Sequence, residues 1–416
     1  MTHYRWSICA LLFFATTINY IDRAVLGILK PLLEKDLGWT QIEYGWMVTA
    51  FQLTYALGYV FSGRVIDRVG VRAGFLSSVS LWSLAAMAHA AARTVMGFSV
   101  ARAALGLAEG GMFPAAIKTV AEWFPKEERA LATGLFNAGS NIGAVACPLI
   151  VPWLATTWGW RSAFVATGAI GFVWVAAWLK MYRQPEGHPS VSPEELAHIR
   201  KDPPDPELRK IPWLELLRHR QTWAFVVGMA ASSPVWWFYI FWAPDFLNKR
   251  YELGLTQSSL PLMIMFLAAS FGGIGGGWLS SRLLKLGWSV NAARKTALLV
   301  CALAVAPVAA TPFVANPWVA VSLVGLAAAA HCGFAANLFT LVSDTVPKQG
   351  VSSVVGIGGM AGALGGMVFA QLVARVLAYT HNNYFVPFAI ASVAYLAALA
   401  VMHALVPRLD RMEVPA

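Results

Sequence analysis

The chain has 416 residues, of which 58% are hydrophobic and only 12% charged, whereas soluble domains carry roughly 25% charged residues. This composition excludes an ordinary soluble enzyme. The formal net charge of +10 does not indicate nucleic-acid binding, because Lys and Arg occur in short clusters and form no single patch with interleaved aromatic residues. Apolar stretches of about twenty residues, the length that crosses a bilayer core, separate these clusters. The sequence therefore predicts a multi-pass membrane protein.

Twelve apolar windows predict membrane-spanning helices, six on each side of a polar break. In chain order they cover 7–29, 45–62, 75–92, 95–116, 130–154, 162–181, 223–246, 258–281, 296–313, 316–341, 352–378 and 384–405. The predicted fold is all-α, with twelve transmembrane helices in two pseudo-symmetric six-helix bundles. The predicted domains are an N-terminal bundle over 1–182, a cytoplasmic linker over 183–221 with one short helix at 193–199, and a C-terminal bundle over 222–416.

The distribution of basic residues predicts the orientation. With the N-terminus inside, most of the 31 Lys and Arg residues fall in cytoplasmic loops, so the positive-inside rule places the linker and both termini in the cytoplasm. The four cysteines lie inside apolar windows and show neither CxxC nor Cys/His spacing. No disulfide framework, metal site or cofactor is predicted from them.

A charged motif lies between the second and third predicted helices, where the sequence reads GRVIDRVGVR from 63 to 72. Gly63 permits close helix approach, Asp67 can interact with an arginine or a helix N-terminus, and Arg68 marks the cytoplasmic edge. The segment resembles the loop motif G-x-x-x-D-R-x-G-x-[RK] of the major facilitator superfamily, and Gly70 and Arg72 complete the match. The resemblance implies the major facilitator fold and a conformational clasp of these five residues that holds the outward-open state.

The corresponding loop of the second half departs from this motif. The sequence GWLSSR at 277–282 has Ser281 where the aspartate would stand, so any clasp is expected to be asymmetric. The chain also has no G-x-x-x-x-G-K-[ST] segment, which excludes transport powered by a nucleotide bound to this chain.

Further segments resemble the anion:cation symporter branch of the superfamily, and within it the bacterial hexuronate and sugar-acid proton symporters. They are NYIDR at 19–23, RAALGLAEGGMFP at 102–114, EWFPKEER at 122–129, GWR at 159–161 and NLFTLVSD at 337–344. The resemblance implies a secondary active transporter in the bacterial inner membrane. Such a protein would import a small organic anion, a hexuronate or an aldonate, together with protons, by alternating access.

Four ionisable residues lie inside the predicted spans: Asp22, Arg23, Arg102 and Glu109. Charges in a bilayer core are costly and rare unless they are functional. Arg102 and Glu109 are about two helical turns apart and share a face. Arg102 is expected at about the depth of Asp22, so the sequence predicts that these two residues pair and leave Arg23 free to bind an anion.

Protonation of the two acids would leave the two arginines unneutralised and attract a carboxylate substrate. The resemblance implies that Asp22 and Glu109 are the proton-coupling sites and that Arg23 binds substrate, and the charge balance adds Arg102 to the substrate-binding set. The alternative is a neutral salt-bridge network that only holds two helices together.

Neutral polar residues are expected to complete the binding site. By resemblance, Tyr20, Tyr55 and Asn141 contact substrate hydroxyls, although Asn141 stands where galactonate transporters carry a longer glutamine. The tyrosines could instead anchor the protein at the membrane interface. Asn141 could equally form an interhelical hydrogen bond.

The second half offers aromatic and amide groups. Trp236 and Tyr239 could stack on a sugar ring or belong to an interfacial aromatic belt. Asn337 matches the family's motif in helix ten and is a substrate-binding candidate. His331 titrates near neutrality and could assist proton movement, but it could also be a hydrogen-bonded core residue.

The predicted partners are a small organic anion, protons and the lipid bilayer, with no nucleic acid, and the chain is expected to be a monomer. An alternative substrate is another monocarboxylate, such as an aromatic acid. A membrane-embedded enzyme or a receptor is disfavoured, because the sequence shows no nucleophile or metal constellation and no sizeable cytosolic domain.

Overall fold

The computed structural model describes residues 3–202 and 211–412, and within these ranges it contains helices and turns but no strand. The helices are α1 Tyr4–Leu37, α2 Gln41–Val69, α3 Val71–Ala88, α4 Val95–Glu109, α5 Met112–Trp123, α6 Lys126–Trp158, α7 Trp160–Met181, α8 Pro193–Ile199, α9 Trp213–Leu216, α10 Arg220–Tyr251, α11 Ser259–Lys285, α12 Val290–Val305, α13 Pro317–Thr345, α14 Lys348–Tyr379 and α15 Phe385–Leu405. Each predicted window falls on one helix or on two consecutive helical segments.

Ten helices of the described chain are long and apolar enough to cross a membrane. The other two predicted spans are α2 and the consecutive pair α4 and α5. The apolar run of α2 is interrupted by Gln52, Thr54 and Tyr55, and α4 ends before Gly110 and Gly111, where a new helix begins. Glycine has the lowest helix propensity of the residues other than proline, which accounts for a break at this pair.

Close contacts between helix backbones fix the position of α4. An added Cβ at Gly106 would lie 2.3 Å from the carbonyl oxygen of Phe51, and one at Gly110 would lie 2.5 Å from the amide nitrogen of Tyr59. Only glycine permits α4 to approach α2 this closely. The approach places Arg102 and Glu109 of α4 against the buried face of the first helices.

Contacts between Cα atoms divide the chain into two compact units. The first unit comprises Met1–Leu29 and Ala50–Glu207, and the second comprises Lys30–Thr49 and Leu208–Ala416. The division passes through α1 and α2, so the end of α1, the turn after it and the start of α2 belong to the second unit. The segment that follows α7 belongs to the first unit.

The predicted short helix of the linker is confirmed as α8. Ser192 caps it by accepting a hydrogen bond from the backbone of Glu195, and Pro193 occupies its first turn, as is usual for a helix start. The buried carboxylate of Glu195 accepts bonds from the backbone nitrogens of Tyr4 and Arg5 at 3.0 and 3.1 Å, and it therefore caps α1. Linker residues 203–210 lie outside the described residues.

Candidate functional site

Arg23 and Glu109 form the central ion pair of the first unit. The Nε and Nη2 atoms of Arg23 donate to the same carboxylate oxygen, Oε2 of Glu109, at 2.9 and 2.8 Å. Both side chains are buried, with relative exposures of 4% and 1%. The second oxygen, Oε1, is buried and has no hydrogen-bond partner among the described residues. Arg23 therefore binds one carboxylate oxygen with two of its donors.

The predicted pairing of Asp22 with Arg102, which would have left Arg23 free, is wrong. Arg102 donates from Nη1 to the backbone oxygen of Arg23 at 3.2 Å, and its guanidinium lies 4.4 Å from the ring centre of Phe51. Consecutive helical residues point about 100° apart. Arg23 therefore faces Glu109 on α4, whereas Asp22 faces α6 and α7.

Asp22 lies in a different environment from its neighbour. Its two carboxylate oxygens are buried, and no cation of a described residue forms a hydrogen bond with them. The hydroxyl of Thr167 lies beside this carboxylate as a side-chain donor. The thiol of Cys147 is close enough to interact with it electrostatically and donates from Sγ to the backbone oxygen of Ile21 at 3.6 Å. Asp22 is thus a buried acid without a hydrogen-bonded cation.

Two tyrosines enclose the guanidinium of Arg23. Its central carbon lies 4.9 Å from the ring centre of Tyr20 and 4.8 Å from that of Tyr55, distances typical of cation–π contacts. Asn19, which was not predicted as a site residue, accepts a hydrogen bond through Oδ1 from Arg23 Nη2 at 3.1 Å. Both tyrosines are half-buried, and their distances to Arg23 place them beside the Arg23–Glu109 pair.

Asn141 lies on α6 between two glycines that contact α1. An added Cβ at Gly139 would lie 2.3 Å from the carbonyl oxygen of Phe13, and one at Gly143 would lie 2.5 Å from that of Thr17. Asn141 itself is half-buried. Its role in substrate binding stays a prediction.

Trp236 of α10 stacks on His331 of α13 in the second unit. The ring centres are 5.1 Å apart and the planes differ by 6°. The Nδ1 atom of His331 lies 2.7 Å from the hydroxyl oxygen of Tyr395, a residue that was not predicted from the sequence. His331 is therefore a hydrogen-bonded core residue. Tyr239 is also buried, and its hydroxyl has no hydrogen-bond partner among the described residues.

Asn337 joins two helices of the second unit. Its Nδ2 atom donates to the backbone oxygens of Gly276 on α11 and Gly333 on α13, each at 2.9 Å. An added Cβ at Gly276 would lie 2.4 Å from Cα of Gly333, which shows how closely these helices cross. The amide nitrogen therefore holds the crossing, while Oδ1 has no hydrogen-bond partner among the described residues.

Two of the five predicted clasp residues contact α5 and α7 within the first unit. Asp67 pairs with Lys118 of α5 at 2.8 Å, and Arg72 donates to the backbone oxygen of Leu179 at 3.1 Å. Gly70 has a φ of 81°, which allows a single residue to join α2 to α3. Gly63 and Arg68 belong to the same turn region, and Arg68 is exposed. The clasp function of the five residues stays a prediction.

In the second unit, Ser281 stands where the loop motif would have its aspartate. An acidic residue lies near this loop, but on a different helix. Arg294 of α12 pairs with Asp344 of α13 at 2.9 Å and donates to the hydroxyl of Ser280 at 2.8 Å. Arg294 was not predicted from the sequence, and neither was the buried pair of Lys30 and Asp245, whose Nζ and Oδ1 atoms are 2.6 Å apart.

A group of three side chains could hold a metal ion by geometry: Glu127, Glu128 and His198. Glu128 already forms a 2.8 Å ion pair with Arg5, and Glu127 pairs with Lys201. These cations neutralise the carboxylates that a metal would require. The group is therefore better explained as part of the contact between α6 and the α8 region.

Comparisons with known proteins assign the chain to a family. The family model for the Major Facilitator Superfamily matches residues 12–370. The hexuronate transporter of Escherichia coli (strain K12) is 30% identical over 374 residues, which cover 89% of this chain and 87% of the relative. The D-galactonate transporter of Escherichia coli O6:H1 is 29% identical over 415 residues, covering 96% and 94%.

A solved structure supports the same fold. A D-xylose–proton symporter superposes with a TM-score of 0.77 at 15% sequence identity, covering 98% of this chain and 100% of the other. That identity shows the fold alone, which comprises twelve helices in two halves. The protein is therefore a multi-pass membrane transporter, not an enzyme, and it belongs to the major facilitator superfamily.

Proposed function

We propose that the protein is a proton symporter that imports a small organic anion, a hexuronate or an aldonate, by alternating access. We place it in the bacterial inner membrane with both termini cytoplasmic, and with the monomer as the transporting unit. The observation that carries the proposal is the two hydrogen bonds from Arg23 to one oxygen of Glu109, next to a buried Asp22 carboxylate that has no hydrogen-bonded cation among the described residues. The sugar-acid substrates of the relatives support the anion class.

Arg23 is proposed to exchange one carboxylate for another. While Glu109 is ionised, it occupies the Nε and Nη2 donors of Arg23. Protonation of Glu109 removes its charge and weakens these bonds, and the same fork of donors can then bind the carboxylate of the substrate in bidentate geometry. The proton on Glu109 and the substrate anion on Arg23 would thus be bound together, which is the requirement for symport.

Asp22 is proposed as the second proton-coupling residue. A buried carboxylate without a hydrogen-bonded cation is costly when charged, so this position suits an acid that gains and loses a proton during the cycle. Arg102 is proposed to contribute to anion binding by adding positive charge while it donates to the backbone of Arg23. This hydrogen bond also holds the backbone of α1 at Arg23 against α4.

The hydroxyl groups of the substrate would be bound by neutral side chains. Tyr20 and Tyr55 already flank Arg23 in the first unit, so a carboxylate on Arg23 would bring adjacent substrate hydroxyls towards their phenol groups. We also assign Asn141 to this set. In the second unit we assign Trp236 and Tyr239 to the sugar ring.

Asn337 is assigned to substrate binding through Oδ1 alone, because its Nδ2 atom is already bonded to two backbone oxygens. An aromatic acid is the weaker substrate candidate. The two relatives compared above are named as hexuronate and D-galactonate transporters, and neither name includes an aromatic acid.

The test is uptake by purified protein in liposomes under an imposed pH gradient. Galacturonate, glucuronate and galactonate are expected to accumulate, whereas the corresponding neutral sugars and benzoate are not. Glu109→Gln is expected to abolish accumulation driven by the pH gradient, because Gln cannot carry the proton. The control Glu194→Gln, at an exposed acid on α8, is expected to behave like the unmodified protein. Accumulation that survives Glu109→Gln would refute the coupling role.

A further inference from the structure

A buried ion pair joins the end of α1 to α10 in the second unit. The ammonium nitrogen of Lys30 lies 2.6 Å from Oδ1 of Asp245 and 2.9 Å from Oε2 of Glu34. Lys30 is 1% exposed and Asp245 is 0% exposed. A second ion pair, between Lys249 and Glu34 at 2.7 Å, lies at the same helix ends.

The other oxygen of Asp245 is bonded as well. Oδ2 accepts from the side-chain amide of Gln41 at 3.0 Å and from the hydroxyl of Tyr384. Gln41 also donates to Oδ1 of Asn382 at 2.8 Å. Asp245 thus connects α10 with the end of α1, the start of α2 and the turn between α14 and α15. One carboxylate holds four parts of the chain together.

The first turns of α2 continue this contact along α10 and α14. Tyr44 donates its hydroxyl proton to the backbone oxygen of Phe241 at 2.8 Å, and Gln371 donates to Thr49 at 2.8 Å. Between them, a Cβ added at Gly45 would lie only 2.4 Å from Cβ of Ala374. The start of α2 therefore packs against α10 and α14 with no room for a larger side chain at 45.

We propose that Lys30 and Asp245 form a latch that keeps the outer end of the transport path closed and that must separate before substrate enters from outside. The inference rests on the proposed function and on its orientation, which puts the turn between α1 and α2 on the outer side. Separating the pair costs little if water hydrates both charges, but removing one partner leaves an uncompensated charge in a buried site. The latch therefore sets the balance between closed and open outer ends.

The experiment measures access to Val48 from outside. Val48 is buried on α2 one turn from Tyr44. A Val48→Cys variant, in a background where the four native cysteines are replaced by alanine, would be labelled with a membrane-impermeant maleimide in right-side-out vesicles. This readout does not require transport, so failure of the latch and failure of the symport proposal give different results.

Lys30→Gln and Asp245→Asn are each expected to raise the labelling rate about tenfold or more. Lys30→Gln leaves the buried Asp245 carboxylate without its cation, and Asp245→Asn leaves Lys30 paired only with the less buried Glu34. The exchanged pair Lys30→Asp with Asp245→Lys is expected to return the rate towards that of the parent. Lys30→Met combined with Asp245→Leu is expected to be labelled more slowly than Lys30→Gln, because it leaves no unpaired charge at Asp245, although Gln41 and Tyr384 lose their acceptor.

Gly45→Leu serves as a positive control, because it would force α2 away from Ala374 by bulk and raise labelling without changing any charge. Folding of each variant is checked by its elution as a single peak and by its melting temperature. Unchanged labelling in both folded single variants, together with fast labelling of Gly45→Leu, would overturn the latch. Labelling of the single variants only from the cytoplasmic side would also overturn it.

Discussion

Arg23 uses two nitrogen donors on a single oxygen of Glu109, so the other oxygen of that carboxylate is left in a buried position without a hydrogen bond to any described residue. A purely structural pair would gain more from bonding both oxygens in parallel, the arrangement that makes arginine–carboxylate pairs strong. The observed geometry leaves Glu109 one oxygen on which a proton can be placed without first breaking a bond.

Replacing Arg23 by lysine is expected to weaken substrate binding although the charge is kept. Lysine presents a point charge and cannot supply the planar fork that binds a carboxylate with two bonds. We expect KM for the transported sugar acid to rise about tenfold or more. Arg161→Lys, at an exposed arginine over Trp160, should leave KM unchanged. An unaltered KM in Arg23→Lys would rule out bidentate binding.

Asp22→Asn should preserve the exchange of substrate across the membrane but abolish the coupling of uptake to protons. Asparagine keeps the shape of the side chain but cannot release a proton, so counterflow of labelled substrate should continue while uptake driven by a pH gradient is lost. Because the change removes a buried carboxylate that has no hydrogen-bonded cation among the described residues, the melting temperature should stay the same or rise. A marked fall in melting temperature would show instead that the charge of Asp22 stabilises the fold.

Glu195→Ala is expected to destabilise the N-terminus of α1. The substitution removes the cap on Tyr4 and Arg5 and the 3.1 Å ion pair with Arg5, and loss of one partner of a buried pair costs roughly 3 kcal/mol. The apparent melting temperature in detergent should fall. Glu194→Ala, at the exposed neighbouring position, is the matched control, and an equal fall in both variants would contradict the capping role.

His331 is expected to affect substrate binding by holding the indole ring of Trp236 in position. His331→Phe keeps a flat ring beneath the indole, whereas His331→Ala removes the stacking partner and leaves Trp236 free to rotate. We expect KM to rise several-fold in the alanine variant and to change less in the phenylalanine variant, with kcat similar in both. Equal KM values in the two variants would mean that the stack does not position Trp236.

The sequence predicted the helices well because long apolar windows are a strong signal in a membrane protein. It could not predict the interruption at Gly110 and Gly111 from hydropathy alone. It also singled out Asp22, Arg23, Arg102 and Glu109 as a charged group, and the structure places Arg23, Arg102 and Glu109 in contact. Their partners were not predicted correctly, since each helical position turns by about 100° and the facing helix decides the contact.

The ion pairs between distant segments were missed for a related reason. Counting basic residues by loop identifies Lys30 only as a cation on the outer side of the membrane. Nothing in the local sequence relates it to Asp245 on α10. Arg294 and Asp344 likewise lie on different helices, α12 and α13, and are 50 residues apart in the sequence. Such pairs follow from the packing of helices, which a single sequence does not specify.

The thiol of Cys147 provides a native spectroscopic probe beside Asp22. Its proton is directed at the backbone oxygen of Ile21, the residue before the aspartate, and both the thiol and the carboxylate are buried. The S–H stretching band falls in a region of the infrared spectrum that is clear of water and amide absorption, and its frequency responds to a charge nearby. Loss of charge at Asp22 during turnover should therefore shift that band in the unlabelled protein.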